Sequence, residues 1–314
     1  DMDPRQRGLF GAAWTLGLIA AFAEGGLDAV TLGAVTGPQG AIYRKAAHKQ
    51  PWFDGAKAEV YPLYHVLAAL ERMTFATAHL VISTNESYRR IALERGHKPP
   101  ARVHIVRSAP DITKFHPVEP DPALKEGRPY LVAYVGVMGR QEGIDLLLEA
   151  VRIIVQEKDR HDILFALIGS GPEHPHMERY ARDLGVQEAV RFTGRIPDAD
   201  LLRYLSTADV CVNPDRVNEM NDKSTMNKIM EYMAVGKPIV QFDMTEGRFS
   251  AGEASLYARP NDPRDFAEKI IELLDDPQRR ARMGAFGRQR MENELDWRFS
   301  REALLRAYAT LDDA

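Results

Sequence analysis

The feature that most constrains the fold is an alternation that begins at Tyr130. Short runs rich in Val, Ile and Leu recur, each followed by a segment of helical period. The spacing predicts strands at 130–137, 163–169, 189–193, 209–213, 238–242 and 255–258. It predicts helices at 143–157, 174–184, 198–206, 224–235, 263–275, 277–293 and 297–311. Strands that are apolar along their length need cover on both faces, and helices between them supply it. The pattern therefore implies βαβ units around a parallel sheet, a Rossmann-like α/β domain.

The preceding sequence is less regular. "AHLVIST" (78–84) and "RVHIVRSA" (102–109) read as strands, with a helix, "NESYRRIALERG" (85–96), between them. "VYPLYHVLAALERMTF" (60–75) reads as a helix, and "GLDAVTLGAVTGPQGAIY" (26–43) as strand, loop and helix start. The polar stretch 111–130 contains four prolines and reads as a linker. It divides the chain at about residue 120: an N-terminal α/β region, 1–120, and the sheet domain, 121–314.

Composition excludes several classes. A formal charge of -4 offers no broad basic surface, so nucleic acid is not an expected partner. The single cysteine, Cys211, cannot form an intrachain disulfide, and with it a reducing, cytoplasmic setting is expected. Gly8 to Ala23 is apolar and follows Arg5 and Arg7, in the manner of a secretory leader. It is shorter than the roughly 20 residues of a membrane span and is rich in glycine, so Leu9 to Ala23 reads as a buried helix. "HPH" (174–176) has the look of a metal pair, but histidines at a helix end are the plainer reading, and no metal site is expected.

Parallel sheets bind ligands beyond the carboxyl ends of their strands. Four turns lie there: "VGVMGRQEG" (135–143), "IGSGPE" (168–173), "FTGRIP" (192–197) and "NPDRVNEMNDKSTMNK" (213–228). The last enters a helix on which Ser224, Lys228, Glu231 and Val235 form one stripe beside an apolar face of Met226, Ile229, Met230 and Met233. With Asp222 or Ser224 as cap, the amides of Thr225, Met226 and Asn227 would be free for an anion. Glu231 lies about 9 Å further along, at ~1.5 Å per residue, a span that suits a nucleoside diphosphate. The same spacing equally suits a surface pair of Lys228 and Glu231.

In this order and spacing, "YVGVMGRQEGIDLLLEAV", "LIGSGPE", "VRFTGRIPDADLLRYLSTADVCVNPD" and "NKIMEYMAVGKPIVQFD" resemble the donor-binding half of GT-B fold glycosyltransferases, family 4 in particular. The resemblance begins near Leu70 and runs through "AFGRQRMENELDWRFSREALLRAY". It implies a retaining enzyme that uses a nucleotide-diphosphate sugar, needs no further cofactor and acts on a glycan or lipid-linked acceptor. Such an acceptor is compatible with peripheral membrane association.

By that resemblance Glu231 matches the second acid of the family's E-x7-E motif, which holds the ribose. Ser224, Thr225 and Met226 match the segment that meets the diphosphate and sugar. Gly194, Arg195 and Ile196 match the segment beside the base. Gly136, Val137, Met138 and Gly139 match the loop under the diphosphate. Lys228 is then either a phosphate contact or a structural ion pair.

Two departures stand out. The first acid of E-x7-E falls on Lys223, which cannot accept hydrogen bonds from sugar hydroxyls but can neutralise phosphate. The family's loop Arg and Lys fall on Val137 and Glu142, leaving Arg140 as the nearby cation. Lys223, Arg140 and Lys228 are accordingly the candidate catalytic cations. The front of the chain is also unlike the family: about 70 residues precede the resemblance, without a glycine-rich opening. They read as a reduced α/β half or as a segment joined from another protein, such as the closing β-α unit of a barrel. Donor binding is therefore expected to be more robust than transfer. A non-catalytic nucleotide-sugar-binding module and a nucleotide-sugar epimerase of the same fold are the rival readings.

Overall fold

The computed structural model describes residues 42–43, 59–60 and 62–312, with side chains from 65 to 311. The readings for the apolar segment 8–23 and for residues 26–41 lie outside the described residues. The chain forms two compact units: Asp1–Val81 with Ala92–Pro100, and Ile82–Ile91 with Ala101–Ala314.

In the first unit, a short antiparallel pair, β1 (Ile42–Tyr43) and β2 (Glu59–Val60), precedes helix α1 (Pro62–Thr77). Along the chain, strand β3 (Val81–Ser83) and helix α2 (Glu86–Glu94) follow, and then β4 (Val103–Ile105).

The second unit holds a six-stranded sheet. Its elements are β5 (Tyr130–Val135), α3 (Ile144–Arg152), β6 (Ile163–Ile168), α4 (His174–Asp183), β7 (Val190–Gly194), α5 (Asp198–Thr207) and β8 (Val210–Asn213). They continue with α6 (Glu219–Asp222), α7 (Asn227–Ala234), β9 (Ile239–Phe242), α8 (Thr245–Ala251), β10 (Ser255–Ala258), α9 (Pro263–Leu274), α10 (Pro277–Arg290) and α11 (Trp297–Asp312). The predicted helices 143–157 and 277–293 each end in a π-helical turn, Ile153–Glu157 and Met291–Leu295.

The strand order is β10-β9-β8-β5-β6-β7, and the strand pairs are parallel. Alternation within each strand divides two apolar cores between the faces. Val132 and Tyr134 of β5, with Phe165 of β6 and Phe266 of α9, enter one core. Leu131 and Ala133, with Leu164, Ile229 and Tyr232, enter the other. Every residue of β6 is buried, which is why no polar alternation shows in its sequence.

The sheet runs outward in both directions from its β5–β8 centre, because the crossover after β7 returns to the far side of β5. At such a reversal the connections leaving β5 and β8 part, and a crevice opens above their carboxyl ends. The β5–β8 ladder itself is short, pairing Val132 with Val210 and Ala133 with Cys211. Tyr232 of α7 extends it: its hydroxyl accepts the Val135 amide at 2.9 Å and donates to the Val212 carbonyl at 3.1 Å. Cys211 is fully buried, and burial pushes its thiol up to about 12, as for an inert core cysteine.

The proline-rich stretch 111–130 is laid along the sheet unit. Val118 donates its amide to Ser206 Oγ at 3.0 Å, Asp121 to Thr207 Oγ1 at 2.8 Å, and Ile112 and Phe115 pack on the core beneath. Helix α11 packs against β4.

Candidate functional site

A cavity of about 740 Å³ opens at the β5–β8 reversal. Its floor is the turn after β5 (Val135, Gly136, Val137) and the turn after β6 (Gly169, Ser170, Gly171). One wall is the start of α7, with Thr225, Met226, Asn227, Lys228 and Glu231; Glu142, Arg195 and Leu201 complete the lining.

Two glycines allow this shape. Gly169 has φ +126°, and a Cβ there would stand 2.0 Å from the Gly136 carbonyl oxygen, so the two floor turns touch backbone to backbone. Gly143 has φ +62°, and its Cβ would meet the Pro214 carbonyl at 2.0 Å. That contact lets the loop after β8 close over the start of α3.

Of the floor amides, those of Val135, Gly136 and Gly169 are committed, and those of Val137, Ser170 and Gly171 have no acceptor among the described residues. Gly136 donates to the Ile168 carbonyl, Met138 to Ser170 and Gly139 to Val137. Further free amides lie at the start of α7. This helix begins at Asn227, not at 224, because the two residues expected to cap it serve other partners. Ser224 Oγ donates to the Met220 carbonyl at 2.7 Å, and Asp222 accepts from the amide and hydroxyl of Thr245. Met226 takes the cap position without a side-chain hydrogen bond. The amides of Thr225, Met226 and Asn227 have no acceptor among the described residues.

Lys228 does not pair with Glu231. Its Nζ lies 2.5 Å from Glu142 Oε2, 2.8 Å from Asp215 Oδ1 and 4.9 Å from the Tyr134 ring centre. Tyr134 donates to Glu142 Oε2 at 3.1 Å. With its amide turned to donate, Asn213 reaches Asp215 Oδ2 at 2.9 Å. Burial alone would depress the Lys228 ammonium, but the two carboxylates hold its pKa above the ordinary value. Burial would likewise raise Glu142, yet the charge and hydrogen bond of Lys228 bring it below the usual carboxylate range. Asp215, only 1% exposed, is pushed by burial up to about 7, with the neighbouring Glu142 charge adding to the rise.

Glu231 is half-buried, and its carboxylate accepts no hydrogen bond among the described residues. Burial raises its pKa, and Lys228 opposes the rise. It stands in the cavity wall as an acceptor with nothing to accept.

Seven of the sequence-predicted residues thus come together: Gly136, Val137, Arg195, Thr225, Met226, Lys228 and Glu231. Met138, Gly139, Gly194, Ile196 and Ser224 lie behind or beside the lining. Arg140 is 90% exposed and pairs with Glu173 at 3.1 Å, outside this cavity. Lys223 Nζ pairs with Glu219 at 2.7 Å, also outside it. Sequence reasoning missed Asp215, Tyr134 and Tyr232; an Asp two residues past the end of an apolar strand was the available signal for the first.

Residues 129–276 match the family model described as glycosyl transferases group 1. A D-inositol 3-phosphate glycosyltransferase from Thermomonospora curvata is 29% identical over 262 residues, 77% of this chain and 59% of that protein. A sucrose-phosphate synthase from Thermosynechococcus elongatus superposes with TM-score 0.66 at 22% identity, over 79% of this chain and 62% of that one. The chain resembles the GT-B glycosyltransferases.

Anabaena HepE in complex with UDP and glucose shares this glycosyltransferase fold, with TM-score 0.67 at 15% identity over 78% of this chain and 67% of that one. The chain spans less than two thirds of the length of the Thermomonospora glycosyltransferase. Residues 1–75 match a different family model, the TIM barrel domain of D-apionate lactonase. Among the described residues no helix is long and apolar enough to cross a membrane, and no group of three or more His, Cys, Asp or Glu is placed to hold a metal ion.

Proposed function

We propose that this protein is a retaining glycosyltransferase of the family 4 type, which binds a nucleotide-diphosphate sugar in the cavity at the β5–β8 reversal. One observation carries the reading: free amides at the start of α7 and the unpartnered Glu231 carboxylate share a single cavity wall. The amides suit a diphosphate, because the helix dipole favours negative charge at its N-terminus. Glu231 suits the ribose hydroxyls, which donate to a carboxylate. Arg195, exposed at the rim, lies on the base side. HepE, of the same fold, forms a complex with UDP and glucose, which supports a donor of this class.

In the proposed reaction, the bond between the sugar and the diphosphate breaks. Negative charge grows on the leaving diphosphate, and the oriented amides at 225–227 stabilise it in place. The acceptor, a glycan or lipid-linked hydroxyl, attacks the same face of the sugar. The reading asks for no further cofactor, and a cytoplasmic location suits a nucleotide-sugar donor.

A second reading, binding without turnover, is favoured by the state of the cations. Lys228 is shared by two carboxylates, and Arg140 and Lys223 pair outside the cavity. A panel of radiolabelled nucleotide sugars separates the readings. Transfer to an added acceptor supports the first, and bound but unreacted sugar the second. An epimerised sugar, or no binding at all, overturns both.

A further inference from the structure

Three consecutive residues at the mouth of α7 are held from the side by one turn of α2. Asn85, fully buried, donates from Nδ2 to the Lys223 carbonyl at 2.8 Å and to Thr225 Oγ1 at 3.0 Å. Between these two, Ser224 Oγ lies 3.2 Å from the Tyr88 hydroxyl. Asn85 Oδ1 also accepts the Tyr88 amide at 2.9 Å, so the same side chain caps α2 and grips the loop. The α2 turn has its own anchor elsewhere: the amide and hydroxyl of Ser87 both donate to the buried Glu246, at 3.1 and 2.6 Å.

The loop so held leads into the amides of Thr225, Met226 and Asn227, which have no acceptor among the described residues. A segment with no intrahelical bonds of its own keeps its N–H groups aligned only if its carbonyls and side chains are fixed. Both hydrogens of the Asn85 amide are spent on that loop, one on each side of Ser224. We propose that Asn85 is a positioning residue, which presets the 223–225 loop so that the Thr225 and Met226 amides face a bound diphosphate. This rests on the donor-site reading above, and it adds the device that holds the phosphate end of that site in shape before any ligand arrives.

The full chain and two variants test it. Asn85→Ser keeps a capping oxygen for α2 but is too short to reach the loop. Ser87→Ala weakens the α2 anchor and leaves the loop contacts alone. Without nucleotide, amide hydrogen exchange at Ser224, whose N–H donates to the Asn221 carbonyl, should rise about tenfold in Asn85→Ser, the scale of one lost hydrogen bond. It should stay unchanged in Ser87→Ala. With UDP and uridine as probes in calorimetry, Asn85→Ser should lose about tenfold in UDP affinity and nothing in uridine affinity. Equal loss for both probes, or exchange unaltered by Asn85→Ser, overturns the proposal. Should the parent bind none of UDP, GDP or ADP, the donor-site reading falls on its own, and unaltered or raised exchange at Ser224 still decides whether Asn85 sets the loop.

Discussion

Lys228 and Asp215 form an ion pair that is largely shielded from solvent: 2.8 Å from Nζ to Oδ1, with the lysine side chain 11% and the aspartate side chain 2% exposed. Removing the cation would leave Asp215 and Glu142 facing each other. Lys228→Met should therefore destabilise the sheet unit by roughly 3–5 kcal/mol, the usual cost of breaking a buried pair on one side. Adding Glu142→Gln should recover part of that loss. Urea unfolding at neutral pH measures both, and equal stability of Lys228→Met and parent would show the pair to be dispensable.

Asp215 gives this stability a pH dependence. Its folded-state pKa, about 7, lies above that of an unfolded aspartate, so the folded protein holds this proton more tightly. Stability from this group is then greatest at low pH and is lost as pH rises from about 4 to about 7. Glu142 acts in the opposite sense: its lowered pKa contributes stability above the unfolded value, lost as pH falls through the folded one. Asp215→Asn should gain on the parent by on the order of 1 kcal/mol between pH 5 and pH 7, one pKa unit being worth ~1.4 kcal/mol. Unfolding curves at these two pH values with the same offset would contradict it.

Glu231→Ala should weaken nucleotide binding by roughly 1–3 kcal/mol, the scale of a charge-assisted hydrogen bond. Stability should hardly change, since the carboxylate has no protein donor to lose. Calorimetry with UDP, GDP and ADP tests this, and unaltered affinity for whichever binds would remove Glu231 from the site.

Tyr232→Phe should cost roughly 1–3 kcal/mol, because the Val135 amide and the Val212 carbonyl would lose a shared buried partner. Hydrogen exchange at Val135 should accelerate ahead of the strand centre. Protection at Val135 equal to the parent would mean that water or a shifted strand replaces the hydroxyl.

The sheet was legible in the sequence because fully buried strands such as Ile163–Ile168 leave an unbroken apolar run. Helix α8 (Thr245–Ala251) was not, since a seven-residue segment with Thr245, Glu246 and Arg248 shows too little period to stand out. The place of Glu231 on the same side of the helix as Lys228 was legible from its stripe. The start of α7 was misread for a tertiary reason: Asp222 has the right residue type for a cap, but Thr245 occupies it. The pairing of Lys228 was hidden because Glu142 and Asp215 come from other strand ends, which only the closed sheet brings together.

The sharing of Lys228 between two acids also bears on how a ligand arrives. Its positive charge is already answered, so little of its field reaches beyond the cavity, and the chain as a whole carries a formal charge of -4. An approaching dianion then meets the exposed Arg195 at the rim and, beyond it, dipoles whose reach is a few ångströms. Capture at this site would be governed mainly by fit, and what salt dependence its rate has would rest on Arg195.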